Sequence, residues 1–437
     1  MKKLLILILI ASSIFAQEKV LTLKESLEIG LQNSNDLKVS RSKLNYADSK
    51  LSEINSQFLP NFKLFGNYTR LSDNIPAFEV SMPFTPNPIR ISEPLYNNYT
   101  FKFGFSQPLF TGFKLSSSRN LAELNLNASE EDYSKEKNEA AFNIYLAYWN
   151  FYKADEIKKV IEQTLQQMEL HLKDTRSFFD NGLIPKNDML KLEVQYSNTK
   201  LMLIDAENNS ELARIAFNKA IGLKLYEKTK ISANEEPLFN EKYQISDLLD
   251  EALKNRKELK SLEYRVAASS QGVSAAKSAW YPSIFLTGNY YYSNPNPRFQ
   301  PAKDEFNSNW DLGVTLSWDV WNWGLTSSQV SQAEETKVQL ETNLSMIKDN
   351  VQVDVYSNYL NLLKIEEKVN VNNEALAQAL ENYRITSEKY NTQLATSSDL
   401  IDAETLKLQA ETNLKTAEVD FRIARVKLEK SLGRTIY

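Results

Sequence analysis

A long stretch without proline or glycine constrains what this chain can fold into. It covers residues 325–432, between Gly324 and Gly433. Both residue types destabilise helix interiors, so their absence over such a length predicts very long helices. From residue 400 onward a sevenfold spacing produces one column of mostly apolar residues and one of alanines: Leu400, Lys407, Leu414, Phe421 and Leu428, and Ala403, Ala410, Ala417 and Ala424. This spacing is typical of helices that supercoil around partners, and the alanines allow close backbone approach.

The first half of the chain contains a second copy of this unit. Early counterparts, such as Pro60 and Pro282, lie 222 positions apart, whereas later ones, such as Asp188 and Asp399, lie 211 apart. Further pairs at the second offset are Leu183 with Leu394, Glu193 with Glu404 and Gly222 with Gly433. The step between the offsets places a shorter loop in the second copy. Two constant offsets indicate an internal duplication.

The duplication predicts the same series of elements twice. The first repeat is residues 17–222, with strands at about 61–68 and 99–106 and long helices at about 113–181 and 186–221. An equatorial linker, 223–242, leads to the second repeat, 243–433. Its strands lie at about 283–292 and 310–318, and its long helices at about 325–390 and 397–432. Loop 69–98 carries five prolines, and we expect it to lack regular structure.

The four strands alternate between apolar and polar residues, with Phe65 as an exception. Each strand has the length that a tilted strand needs to cross a bilayer, and Tyr and Trp lie toward the strand ends. A soluble sheet with one buried face would also alternate. However, four strands leave two open edges, which a membrane does not tolerate. The pattern therefore favours strands pooled from several subunits into one closed barrel.

The first 16 residues read as a signal peptide. A basic start, Met1-Lys2-Lys3, precedes a short apolar run and a small residue, Ala16, at the expected cleavage site. The run is too short for a membrane anchor. The chain has no cysteine, so disulfides and thiolate metal sites are excluded. A net charge of -5 over 437 residues argues against nucleic acid as a partner.

The duplicated arrangement of strand hairpins and long helical hairpins resembles the TolC family of outer-membrane efflux proteins. The resemblance covers essentially the whole mature chain. Two strand-to-helix junctions carry it, residues 107–112 (QPLFTG) and 319–324 (DVWNWG), together with two helix-tip turns, 179–188 (FDNGLIPKND) and 390–403 (YNTQLATSSDLIDA). Their order and spacing together are specific.

The resemblance implies a mostly α fold with a transmembrane β part. A homotrimer would form a 12-stranded β-barrel continuous with a long α-helical coiled-coil barrel. The protein would lie in the outer membrane of a Gram-negative-type bacterium and extend into the periplasm. There it would be the passive exit duct of a tripartite efflux or type I secretion system. Its partners would be outer-membrane lipid, a periplasmic adaptor (membrane fusion) protein and an inner-membrane RND or ABC pump.

The resemblance also assigns site residues at the helix tips. Asp399 and Asp402 would form a ring of carboxylates at the periplasmic entrance. A hydrogen bond between Asp188 and Tyr390 would hold an iris-like gate closed. The tip turns would contact the adaptor through Gly182, Leu183, Gln393 and Leu394.

Alternatives to these assignments follow from the residues alone. Ser397, Ser398 and Asp399 are all good N-cap types, so Asp399 also fits a helix cap. Gln393 stands where the family has glycine, which questions a turn with positive φ. A related member has an arginine at the position of Ala395, so Lys186 or Lys389 would have to replace it.

No enzyme signature is present. Glycine-rich phosphate loops, Gly-x-Ser-x-Gly and His-Glu-x-x-His are absent. His171, the single histidine, reads as a surface residue rather than a metal ligand. We expect neither a cofactor nor catalysis. The main rival hypothesis is a trimeric coiled-coil surface or adhesin-like protein, and an outer-membrane enzyme is a weaker one.

Overall fold

The computed structural model describes residues 19–232 and 243–437. The predicted signal peptide, and residues 233–242 of the predicted linker, lie outside the described residues. In chain order the elements are β1 (Lys19–Leu21), α1 (Leu23–Asn33), α2 (Asn35–Ser56), β2 (Asn61–Arg70), β3 (Phe78–Val80), β4 (Ile89–Ser92), β5 (Asn97–Thr111), α3 (Lys114–Asp180), α4 (Lys186–Ala220), β6 (Thr229–Ile231), α5 (Ile245–Asn255), α6 (Lys257–Lys277), β7 (Ser283–Asn294), β8 (Asn307–Ser317), α7 (Leu325–Asn391) and α8 (Ser397–Ser431).

The two copies have helices of identical length. α3 and α7 each contain 67 residues, and α4 and α8 each contain 35. No proline or glycine occurs inside these four helices. The fold is mostly helical with a smaller β part, as the sequence predicts.

Backbone turns with positive φ recur at matching positions of the two copies. Gly182 (φ 72°) and Gln393 (φ 65°) end α3 and α7, and Gly222 (φ 71°) and Gly433 (φ 78°) end α4 and α8. The remaining matched positions precede the long helices: Gly112 and Phe113 in the first copy, Trp323 and Gly324 in the second. Gln393 thus adopts the turn that its side chain had put in question, because the helix end requires this conformation.

One compact unit, residues 43–130 and 261–345, contains a four-stranded antiparallel sheet in the order β2-β5-β7-β8. The hairpin of each repeat contributes two strands, and pairing of β5 with β7 joins them. β2 and β8 form the edges, and their outer sides pair with no strand among the described residues.

The two faces of this sheet differ in chemistry. Residues paired across antiparallel strands share a face, and the pairs Leu64–Phe103 and Tyr290–Trp310 place large apolar side chains together. Further apolar residues on the same face are Phe62, Tyr68, Phe101, Phe105, Leu286, Tyr292, Leu312, Val314 and Leu316. Trp310 remains 71% exposed. The opposite face is mainly polar, and it is where Phe65 lies, paired with Lys102.

The prediction that loop 69–98 lacks regular structure is partly wrong. β2 extends to Arg70, and β3 and β4 form a small antiparallel hairpin inside the loop. Arg90 in β4 forms ion pairs with Glu79 (3.3 Å) and Glu93 (2.7 Å). These strands have only three or four residues, which is too short for alternation to reveal them.

The second unit, formed by the other described residues, has its main core around the middle of α3. The core consists of Leu21, Ile144, Tyr148, Trp149, Phe151, Phe217, Ile221 and Val419. β1 pairs in parallel with β6, and the Tyr148 hydroxyl donates to the carbonyl of Ser232 at 2.8 Å. The predicted linker 223–242 therefore contains a strand that covers the core. The three-residue pairing of distant segments leaves no periodic signal in the sequence.

Within this unit, the glycine that ends each copy packs against the end of a short helix. Asn33, at the end of α1, lies against Gly222, and its side chain donates to the carbonyl of Ile221 at 3.1 Å. The backbone of Asn255, at the end of α5, lies against Gly433. A Cβ atom on Gly222 would lie 2.5 Å from the Cβ of Asn33. Glycine is needed there both for its positive φ and for its small size.

We expect Gly222→Ala to destabilise the protein more than Gly182→Ala. Both positions have nearly the same positive φ, which costs an L-residue about 1–2 kcal/mol. A Cβ atom on Gly182 meets nothing within 4 Å, whereas one on Gly222 collides with Asn33. The thermal midpoint, followed by circular dichroism of the purified protein, measures the difference. Equal shifts for the two variants would contradict this account of the packing.

Candidate functional site at the helix tips

The turns α3–α4 and α7–α8 have the same hydrogen bonds. Gly182 donates to the carbonyl of Phe179 and Leu183 to that of Phe178, both at 2.9 Å. The second turn repeats this, with bonds from Gln393 to Tyr390 (2.9 Å) and from Leu394 to Lys389 (2.7 Å). This is the Schellman motif. It leaves a leucine exposed at each tip: Leu183 is 53% and Leu394 is 79% exposed.

α8 begins with a capping box. Thr396, and none of the three predicted residues, is the N-cap. Its hydroxyl and its backbone N–H donate to Asp399 Oδ2 at 2.7 and 2.8 Å, and its Oγ1 accepts from the Asp399 N–H at 3.2 Å. These bonds lower the pKa of Asp399 below its usual value. Asp402, one turn further on, is exposed without being part of the cap.

The structure does not bring Asp188 and Tyr390 together. Tyr390 is only 3% exposed, and its hydroxyl contacts Thr175 Oγ1 (2.6 Å) and Ser397 Oγ (3.5 Å). Because Thr175 donates its own proton to the carbonyl of His171 (2.7 Å), Tyr390 must donate to Thr175. The predicted pair is therefore replaced by a chain of hydroxyls from α8 through α7 to α3. Sequence reasoning missed it because threonine and serine give no distinctive signal.

Asp188 lies in the first turn of α4, which has Pro185 as an N-cap without a side-chain bond. Its nearest cation is Lys191, with Oδ1 and Nζ 3.7 Å apart. Lys191 also donates to Ser398 Oγ at 3.0 Å, which connects α4 to α8. Lys191 is thus the cation that links the two tips, instead of the expected Lys186 or Lys389.

We expected His171 to be a surface residue, but its side chain is half-buried. Its Nε2 atom lies 2.9 Å from the Tyr383 hydroxyl, and burial lowers its pKa. Lys407 donates to Gln167 Oε1 at 2.8 Å and lies 4.6 Å from the centre of the Tyr383 ring. These four side chains therefore form a polar layer that lies further from the tips than the hydroxyl chain.

Among the described residues, no cluster of three or more His, Cys, Asp or Glu side chains could hold a metal ion. In residues 19–232 and 243–437, no helix has both the length and the apolar character needed to cross a membrane.

Comparisons with known proteins agree on one family. The family model described as outer membrane efflux protein matches residues 27–223 and 248–434, one match in each repeat. The outer membrane protein TolC of Escherichia coli (strain K12) is 20% identical over 407 residues, which cover 91% of this chain and 79% of TolC. The outer membrane efflux protein BepC of Brucella suis biovar 1 is 21% identical over 413 residues, covering 94% of this chain and 85% of BepC.

The crystal structure of the Campylobacter jejuni CmeC outer membrane channel has the same fold. It superposes with a TM-score of 0.78 at 17% sequence identity, over 94% of this chain and 85% of CmeC.

We expect Thr396→Ala to weaken the first turn of α8. Loss of an N-cap hydroxyl costs about 1 kcal/mol, and Asp399 would lose two of its bonds. Hydrogen exchange of the amides at 397–400 should accelerate, while Asp402→Asn should leave it unchanged. Because the pKa of Asp399 is lowered, the cap is fully present above the ordinary value of 3.8 and is lost as the pH falls through the lowered value. Unchanged exchange in Thr396→Ala would remove the cap from this turn.

Proposed function

Because this chain belongs to the outer membrane efflux protein family, we propose that three copies form a passive exit duct in the outer membrane. An inner-membrane pump, of the RND or ABC class, and a periplasmic adaptor would supply its substrates and the energy. The duct would serve either efflux of small molecules or type I secretion of polypeptides.

The four-stranded sheet carries this proposal. Its apolar face is exposed and its other face is polar, an arrangement that suits lipid outside and water inside. Its two edge strands have no partner within the described chain. Lipid cannot satisfy the backbone groups of an open edge, so the edges need further copies. Three copies would contribute 12 strands, from four in each chain, and β2 of one would pair with β8 of the next.

The helices support association of copies in a separate way. Four residues of α7 lie at heptad spacing and are at least 40% exposed: Val353, Tyr356, Leu360 and Leu363. Their first-repeat counterparts are Phe142, Tyr145, Trp149 and Tyr152. Phe142 and Trp149 are buried, and Tyr145 and Tyr152 pack against the main core. A second copy is the occupant that would cover the α7 stripe.

The tip residues would control entry. Asp399 and Asp402 of three copies would place six carboxylates around one opening, which attracts cations. The exposed Leu183 and Leu394, with Gly182 and Gln393, would form the surface that the adaptor contacts. Iris-like opening would separate the hydroxyls of Tyr390, Thr175 and Ser397, and the Lys191 link of Asp188 with Ser398.

Current through the purified protein in a planar bilayer tests the proposal. We expect cation-selective channels, and a reversal potential that moves toward zero when Asp399→Asn and Asp402→Asn are combined. The double replacement by glutamate retains the charges and should retain the selectivity. Absence of channels would overturn the exit-duct proposal and favour the adhesin-like alternative. Unchanged selectivity in the asparagine variant would mean that Asp399 only caps α8 and does not select ions.

Tyr390→Phe should raise the single-channel conductance. The variant removes the hydroxyl that bonds to Thr175 and Ser397 but retains the buried ring. Tyr226→Phe, at an exposed tyrosine, is the matched control and should behave as the wild type. If both variants conduct equally, Tyr390 has no part in the gate.

A further inference from the structure

One carboxylate close to the tips is buried without a partner. Glu404 lies on α8, two residues after Asp402, and is only 1% exposed. Neither of its carboxylate oxygens has a hydrogen-bond partner within the described chain. Burying an ionised carboxylate without a partner is costly, so the neutral form is favoured. Burial raises the pKa of Glu404 to about 7, although Lys407 opposes this shift.

The first repeat shows what Glu404 lacks. Its counterpart there, Glu193, accepts a hydrogen bond from Arg176 Nη2 at 2.9 Å. At the offset of 211, the position of Arg176 is occupied by Ser387. The second copy has therefore retained the acid but not the arginine.

The groups around Glu404 come from several helices. Lys407 and Glu411 lie on α8 itself, one and two turns further on, and burial also raises the pKa of Glu411. Burial, and second the charge of Glu404, raise the pKa of Tyr383 on α7, so these two side chains interact electrostatically.

The other two packed helices contribute further titratable groups. α3 carries His171, which is bonded to Tyr383, and Asp174, which interacts with His171. α4 contributes Tyr196, which packs against the buried cluster of Met168, Leu172 and Leu192, as does Ile401 of α8. Lys407 is the only cation that is seen to act on Glu404 within the described residues, and it is also bonded to Gln167.

We propose that Glu404 is a proton-controlled latch of the helix tips. With a neutral carboxyl group, the start of α8 packs closed against α3, α4 and α7. Loss of the proton leaves a buried unpaired charge, which is relieved when α8 moves outward and water reaches the carboxylate. The consequence for transport rests on the proposed exit-duct function, whereas the movement of α8 does not.

The direction of the pH dependence follows from linkage. A carboxyl group with a higher pKa in the closed state stabilises that state at low pH, and the stabilisation is lost as the pH rises. The tips should therefore open between mildly acidic and alkaline pH. His171 acts in the opposite direction, since its pKa is lowered in the closed state and its protonation would favour opening as the pH falls. The two groups can be separated by substitution.

Hydrogen exchange of the full-length protein tests the latch without relying on channel activity. A closed-state pKa of about 7 against an ordinary value of 4.5 predicts that Glu404 contributes a loss of amide protection at 397–410 on the order of 30-fold between pH 5.5 and 8, after correction for intrinsic exchange. His171 opposes this contribution in the wild type, so the full effect is expected in His171→Asn. Glu404→Gln should abolish this dependence. Ser387→Arg, which supplies the partner that the first repeat has, should abolish it as well.

Two control variants sharpen the test. Glu193→Gln removes the paired acid of the first repeat and should leave the pH dependence at 397–410 intact. His171→Asn, which introduces the residue found at the matching position 382, should also leave it in place. Protection that does not change with pH in His171→Asn, where the opposing histidine is absent, or a loss of protection with rising pH that survives Glu404→Gln, would overturn the latch.

Bilayer currents complete the experiment. If wild-type conductance rises with pH and that of Glu404→Gln does not, the latch controls the duct. If no current flows while exchange at 397–410 still depends on Glu404, the exit-duct function fails and the latch stands. Currents that respond equally to pH in both proteins would exclude Glu404 as the gate's proton sensor.

Discussion

Backbone amides in lipid find hydrogen-bond partners only in other backbone, and the rest of this structure depends on that constraint. Each chain supplies four strands and two unpaired edges, and a single copy cannot close them. The exposed apolar face and the polar opposite face fit the same environment. The proposed duct therefore requires association of copies before its strands can be stable in a membrane. The exposed heptad stripe of α7 supports the same proposal for the helical part.

The sequence alone predicted the long elements well because they leave periodic or compositional signals. Missing proline and glycine outlined the stretch that contains α7 and α8, and the two offsets predicted where the elements recur. Short elements were missed. β1, β3, β4 and β6 have only three or four residues, and their pairing depends on distant segments. Gln393 was misjudged because the helix end imposes the turn whichever side chain is present.

The tips were predicted in position but not in contacts. The turns between the long helices form where the sequence predicts them, and Asp399 lies in the first turn of α8. The ring of carboxylates at an entrance stays a prediction. The partners differ, because hydrogen bonds depend on rotations of neighbouring helices that sequence does not reveal. Tyr390 bonds to Thr175 and Ser397, and Lys191 connects α4 to α8. Glu404 could have been noticed from sequence by comparing the repeats, since Arg176 and Ser387 differ at one matched position.

The equal lengths of the paired helices restrict how a chain of this kind can change. A residue inserted into α3 alone would advance its tip by about 1.5 Å and rotate every later side chain by about 100° relative to α7. The hydroxyl chain and the Lys191 link would then lose their alignment. Connections between strands carry no such restriction, and the eleven-residue difference between the copies lies there. Insertions and deletions are thus tolerated best in the loops that connect the strands, whereas α3 and α7 must keep the same length.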